Sequence, residues 1–290
     1  MRWGTLRWIA WKEVRQLLRQ RWVPVGYAVL FGLGLLLWNA RLFPVGWFGP
    51  HRVAIAYFQL LAFGLPWLGL LAGAQAIAPE RETGRLAYLC AQPVEPAEVF
   101  WGKALGRFGL LASLFLIGQG ITALVLMRHG GGSLGMYGLF TVAGLGLTFL
   151  SLGLGMAVSA WSPTQARATG GALGLGLVFL LVSDWVLLTA ALFLRLSAPT
   201  LFFLTVLNPV QSFRILALST LTDRLDILGP AVGWALARLG LSGLRLLLVG
   251  SLLAWTGTAW ALARVGFGLG DHPVGRWRTS AEAAPEPLRP

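Results

Sequence analysis

Three places along this 290-residue chain gather residue types that could do chemistry. The first is Glu80-Arg81-Glu82-Thr83-Gly84-Arg85-Leu86, which continues through Pro93-Val94 to Gly102-Lys103. Glu80 and Glu82 precede a short helix, Gly84 permits close backbone approach, and Leu86 and Leu89 share one face before Pro93 stops it. A helix tied at both ends to membrane spans can transmit a push from a partner; a solvated loop is the plainer reading. The second place is Asp184, the one acid inside an apolar span, where a charge costs at least about 2.5 kcal/mol and so faces a bundle interior or cavity. An acid near a span end, satisfied by backbone and water, is the alternative. The third is Met127, His129 and Met136, three soft-to-intermediate ligands around a glycine-rich turn, weak candidates for copper against ordinary packing. No catalytic set emerges from these residues. Gly102-Lys103-Ala104 lacks the upstream glycine and following hydroxyl of a phosphate loop, so the chain does not hydrolyse ATP by that route. Asp184 has no second aspartate for an intramembrane protease, Ser183 has no base, and no His-Glu-x-x-His helix is present.

The elements that must position these residues follow from composition. The chain is 56% hydrophobic and 12% charged, with a mean hydropathy of +0.71, which excludes an ordinary soluble domain. A single cysteine, Cys90, excludes a disulfide framework. The net charge of +12 is read as topology signal and lipid headgroup contact, with no nucleic-acid partner expected. Charge-free intervals predict an all-α membrane protein with six transmembrane helices, near 23–40, 54–78, 108–127, 134–161, 168–194 and 246–263, inside a transmembrane domain over 23–264. The first span is expected to remain as an uncleaved anchor. Residues 1–22 form a cytoplasmic amphipathic elbow helix, with Trp3, Leu6, Ala10, Val14, Leu17, Leu18 and Trp22 on its apolar side and a turn at Pro24. Most of the 23 lysines and arginines fall in the N-terminal segment, the 79–107 module, Arg167 and the C-terminal tail, placing both termini in the cytoplasm. Arg245 is expected to snorkel to the outer surface. The outer connection 195–238 is expected to hold a short amphipathic helix lying on the outer face through Phe213, Leu216, Ala217 and Leu221. Gly144, Gly146, Ser151, Gly153 and Gly155, and Gly170, Gly171, Gly174 and Gly176, read as close-packing helix surfaces or as a dimer seam. Residues 265–290 read as a disordered cytoplasmic tail.

The 79–107 module resembles the corresponding part of ABC-2 type permeases, the exporter-like membrane subunits of ATP-binding-cassette transporters. In that family an acidic-x-acidic-x-Gly-Thr-Leu motif, then Pro-Val, then Gly-Lys ahead of the third span, forms the coupling helix that docks on the ATPase. Glu80, Glu82, Gly84, Leu86, Pro93, Val94, Gly102 and Lys103 match it, while Arg85 stands where threonine is usual and Pro96 replaces a frequent basic residue. The Lys12-Glu13 pair is similar to a start common in these proteins. The second half, through Asp184-Trp185, Asn208-Pro209 and Phe213-Arg214, is similar to the NosY type, permeases of a transporter serving assembly of the copper-sulfur centre of nitrous oxide reductase.

The resemblance implies a type V exporter-like architecture in a bacterial or archaeal cytoplasmic membrane. It implies a homodimer of two permease copies, two copies of an ABC ATPase subunit that bind ATP and Mg, no cofactor bound directly, and a periplasmic repeat protein near Asn208, Pro209, Phe213 and Arg214. The lack of a cysteine and methionine ladder argues against passage of bare copper ions. A general exporter of lipid, drug or polysaccharide, and a non-transporting scaffold, are the alternatives.

Overall fold

The structure is a computed structural model that describes residues 3–39, 50–90, 92, 94–128, 133–193, 196–221 and 230–269, and among these no strand occurs. Its helices are α1 (Trp3–Arg19), α2 (Trp22–Asn39), α3 (Pro50–Ala74), α4 (Ala78–Glu82), α5 (Arg85–Cys90), α6 (Pro96–Arg128) and α7 (Leu134–Trp161) in the first half. The second half holds α8 (Gln165–Leu177), a π-helical stretch (Val178–Val182), α9 (Ser183–Leu192), α10 (Ala198–Val206), α11 (Pro209–Leu221) and α12 (Pro230–Leu269). Among the described residues, five helices are long and apolar enough to cross a membrane, and a sixth counts if the bent pair α10–α11 is one span. Helix α2, at 18 residues, stands at the lower limit of about 18–20 that the hydrocarbon core demands. The chain does not turn at Pro24. The break falls at Gln20-Arg21, and Pro24 is accommodated in the first turn of α2, where its missing N–H costs no hydrogen bond.

Helices α3 and α7 form the centre of the bundle. Their tightest crossing is built from glycine: a Cβ on Gly73 would stand 2.4 Å from the Leu152 carbonyl oxygen, and one on Gly155 would stand 2.2 Å from that of Leu70. Only residues without a side chain let two backbones approach this closely in lipid, where close packing replaces hydrophobic drive. Gly144 lies under the Phe115 ring, Gly153 under the Trp260 indole and Gly176 under Trp67, whereas Gly146, Gly170 and Gly174 have nothing within 4 Å. The expected glycine packing surface is therefore real for part of the set.

The second half departs from the expected layout. Helices α10 and α11 are bent against each other by 107°. Helix α11 does not lie on a surface: Val210, Ser212, Phe213 and Ile215 through Ser219 are buried, leaving Gln211 and Arg214 as its more open positions. Phe213 stacks on Phe58 of α3 with centroids 5.0 Å apart. A helix apolar nearly all round belongs inside a bundle, so the expected place on the outer face does not hold for Phe213, Leu216 and Ala217. The last span is also longer than 246–263, running over Ala231–Gly268 with a kink at Gly240, whose φ of 67° is glycine territory. Arg245 consequently lies within the helix, half-buried, with its guanidinium turned to α11. Its Nη2 donates to the Ser219 carbonyl at 2.6 Å and its Nε to Ser219 Oγ at 3.2 Å, satisfying the C-terminal turn of α11.

Candidate functional site

Two polar assemblies stand out against the apolar bundle. The first is where α1, α3, α4 and α6 meet. Glu13, fully buried on α1, accepts Lys103 Nζ at 2.7 Å on one oxygen and Arg107 Nε at 2.8 Å on the other. Lys103 Nζ also lies 2.7 Å from Glu80 Oε2, and Lys12 Nζ lies 3.6 Å from Glu80 Oε1. Arg107 spends its remaining donors on the carbonyls of Ala72 at 2.6 Å and Gln75 at 2.9 Å, the C-terminal end of α3. Burial alone would raise the Glu13 pKa, but the charges and hydrogen bonds of Arg107 and Lys103 outweigh it and hold the carboxyl below its ordinary value. The two buried carboxylates are matched by two buried cations, with the half-exposed Lys12 as a third cation at the rim.

Helix α1 reaches this position because glycine clears its path. A Cβ on Gly106 would stand 2.4 Å from the Ala10 carbonyl oxygen, and one on Gly102 would stand 2.8 Å from Ile9. Gly102 and Gly106, like Lys103 and Arg107, are four residues apart, so α6 presents a glycine seam with a cationic stripe beside it. The apolar side predicted for α1 is accordingly incomplete: Ile9, Glu13 and Leu17 face the protein, while Trp3 and Leu18 point outward with Trp8 and Trp11.

The rest of the expected coupling module divides by position. Glu80, Gly102 and Lys103 are internal, and Leu86 and Val94 pack partly buried against the core. Glu82 accepts the Gln165 backbone N–H at 2.8 Å, capping α8. Gly84, with φ 73° and nothing near its Cβ position, serves the turn between α4 and α5 through its backbone conformation and approaches no other backbone. Pro93 lies outside the described residues. Sequence reasoning missed Arg81, whose Nη1 donates to the carbonyls of Ala160 at 2.9 Å and Ser162 at 2.7 Å, closing the end of α7. It also missed Ser159, whose Oγ accepts from the N–H groups of Ile77 and Ala78 and donates to Ala74. The α4–α5 corner is thus tied to α1 and α6 on one side and to the α7–α8 connection on the other. Thr83, Gly84, Arg85 and Tyr88 remain exposed at its tip.

The second assembly joins α9 to α11 in the opposite half. Arg214 Nη1 donates to Asp184 Oδ2 at 2.9 Å, and Gln211 Nε2 donates to Asp184 Oδ1. Asn208 Nδ2 donates to the Phe179 carbonyl at 2.7 Å and to Ser183 Oγ at 2.6 Å, while its Oδ1 accepts from Val210 N at 2.8 Å and so caps α11. The π-helical stretch re-routes the backbone ladder here, with Ser183 N–H bonding to Val178, so the Phe179 carbonyl accepts from Asn208. Pro209 follows as the first residue of α11, where its fixed φ favours the helix start. Asp184, Asn208 and Arg214, separate candidates in the sequence, therefore share one node, with Pro209 starting its helix and Phe213 anchoring that helix to α3. Gln211 was not among the expected residues. Met127 and Met136 pack partly buried against the apolar core, and His129 lies outside the described residues. Among the described residues, no group of three His, Cys, Asp or Glu side chains is arranged to hold a metal ion.

Comparison with known proteins agrees with this geometry. Residues 50–270 match the family described as ABC-2 family transporter protein, covering α3 through α12. The chain is 32% identical over 222 residues to the "Probable ABC transporter permease protein NosY" of Pseudomonas aeruginosa, covering 73% of this chain and 80% of that protein. It is 30% identical over 266 residues to the protein of the same name from Stutzerimonas stutzeri, covering 88% and 95%. On the family match across most of its helices and on these relatives, the chain belongs to the ABC-2 family of transporter permeases, as a multi-pass membrane protein.

Proposed function

We propose that this chain is the membrane-spanning permease subunit of an ATP-binding-cassette transporter that couples ATP hydrolysis to work across the cytoplasmic membrane. ATP and Mg are bound by a separate ATPase subunit, two copies of which associate with a homodimer of this chain, and both termini are cytoplasmic. The observation that supports this reading is the braced α4–α5 corner. Its exposed tip at Thr83 to Tyr88 is joined through Glu80, Lys103 and Glu13 to α1 and α6, and through Arg81, Ser159 and Glu82 to α7 and α8. A push on the tip reaches both sets of helices, which is what converting ATPase closure into bundle rearrangement needs. The identity with two NosY permeases supports a role in maturation of the copper-sulfur centre of nitrous oxide reductase, with a periplasmic repeat protein as a further partner on the far side.

The test is mass spectrometry of what co-purifies with the chain from native membranes in mild detergent. An ATPase with a periplasmic repeat protein supports the maturation role. An ATPase alone points to a general exporter of lipid, drug or polysaccharide. With no ATPase, the coupling reading fails and a scaffold is left. Tyr88→Ala, at a side chain 71% exposed, should leave the chain folded and reduce the amount of ATPase recovered; unchanged recovery would remove the α4–α5 tip from the interface.

A further inference from the structure

Helix α1 carries two apolar stripes where a helix lying on a protein in water would carry one. Ile9 and Leu17 are buried toward the bundle, while Trp3, Trp8 and Trp11 are exposed at 80, 62 and 56%. Trp8 and Trp11 form a ridge with a groove on each flank. One groove, of roughly 560 Å³, runs between α1 and α6 and is walled by Ala10, Val14, Leu105 and Gly106 with Arg7 beside it. Leu105 is exposed on α6, a helix long and apolar enough to cross a membrane, so this groove has an apolar wall on the outside of the bundle. The other groove, of roughly 520 Å³, is lined by Lys12, Arg15, Arg19 and Arg85 with Gln16 and Gln20, and none of its lining residues is acidic. Lys12 is within 3.6 Å of Glu80, and the Arg15 guanidinium lies 5.2 Å from the Trp11 ring centroid, braced over the ridge.

We infer that this ridge and its two grooves bind an anionic phospholipid. The headgroup phosphate sits among Lys12, Arg15 and Arg19, where guanidinium groups give charge-assisted hydrogen bonds to phosphate oxygens. An acyl chain lies along Val14 and Leu105. Tryptophan stands at the boundary between the two, the level at which its amphipathic ring is favoured in a membrane. The apolar groove decides between ligands: an acidic protein segment would match the basic flank but leave the groove beside Leu105 empty, whereas a phospholipid fills both. The inference is independent of which cargo, if any, the transporter moves.

The experiment uses the full chain, purified in mild detergent, stripped of lipid and incubated with mixed micelles of equal phosphatidylglycerol and phosphatidylcholine. Retained lipid is counted by native mass spectrometry. Wild type should retain phosphatidylglycerol over phosphatidylcholine by about tenfold or more, and Arg15→Gln and Arg19→Gln should each lower that preference about fivefold, the worth of one basic residue near a membrane surface. Trp8→Ala should lower retention of both lipids. Lipid-free melting temperatures of the variants equal to wild type show that folding is not the cause, and Arg128→Gln, at the far end of α6, should keep the preference. Four results would overturn the inference. These are equal retention of the two lipids by wild type, a preference that survives the paired Arg15 and Arg19 substitution, displacement of the lipid by millimolar inorganic phosphate, or loss of the lipid when the ATPase subunit assembles.

Discussion

Glu13 with Lys103 and Arg107, and Asp184 with Arg214, are chemically alike, yet they occupy opposite halves of the bundle under different conditions. The first group is sealed, with side-chain exposures of 0, 0 and 1%; in the second, Asp184 is 41% exposed and Arg214 15%. Every oxygen and nitrogen of the Glu13 group that would be costly to bury meets a charge or a helix-end carbonyl. Asp184 keeps an open side on a helix whose Trp185, Val186 and Leu188 also face outward. Hydrocarbon is a costly neighbour for that open side, so it turns to water or to another chain. The sealed group is a frame that fixes α1 to α6, and the open one is a node with a face left outside the bundle.

The largest expected effect breaks the frame. Glu13→Leu leaves Arg107 buried without its acid and Lys103 with Glu80 alone, a loss of about 3–5 kcal/mol that would appear as a steep fall in melting temperature or as failure of the chain to accumulate in membranes. The same frame has an acid limb. Because the folded Glu13 carboxyl titrates below its ordinary value of 4.5, its contribution is complete above that value and is lost as pH falls through the lower folded one. In Glu13→Gln this part of the acid dependence should vanish from melting curves recorded as the pH is lowered from neutral through 4.5 and below. Next in size is Gly106→Ala, whose methyl would press on the Ala10 carbonyl and lever α1 off α6, costing about 1–3 kcal/mol by the same melting assay. Asn208→Ala removes the cap of α11 and its tie to the Phe179 carbonyl, for about 1–2 kcal/mol. The smallest stability change belongs to Asp184→Leu, at about 1 kcal/mol or less for a pair so open, while transport or maturation in cells should fall well below wild type. Full transport or maturation in that variant would reduce the node to a second, looser frame.

Much of the architecture was readable because lipid leaves few options: a span must be apolar, so the intervals between charges marked α3, α6, α7 and α8–α9 and the core of α12. What could not be read was direction. On α1 both apolar stripes satisfy helical spacing, and periodicity cannot say which meets protein and which meets lipid; the expected apolar side holds for Val14, Leu17 and Trp22, while Trp3 and Leu18 point outward. Arg107 and Arg81 were counted as topology signals, since a sequence does not reveal that helix-end carbonyls wait beside them. Asp184, Asn208 and Arg214 were each noticed for their residue type. Their meeting depends on α11 folding back into the bundle, which a helix with two polar positions disguised as an amphipathic surface element.

The π-helical stretch at Val178–Val182 has a consequence for chain length. Its wider turn holds one residue more than an α-turn, which sets everything from Ser183 onward back by about 100° around the helix axis relative to an uninterrupted α-helix. Upstream, Ala168, Ala172 and Gly176 are the buried positions of α8; downstream, Ser183 and Asp184 turn to α11. The span therefore works as a phase shifter, and its two ends obey different registers. Tightening Val178–Val182 into an ordinary α-turn with all five residues kept would swing the carboxylate of Asp184 about a quarter-turn from Arg214, whereas removing one of the five lets the ordinary ladder close and leaves both α8 and Asp184 where they stand.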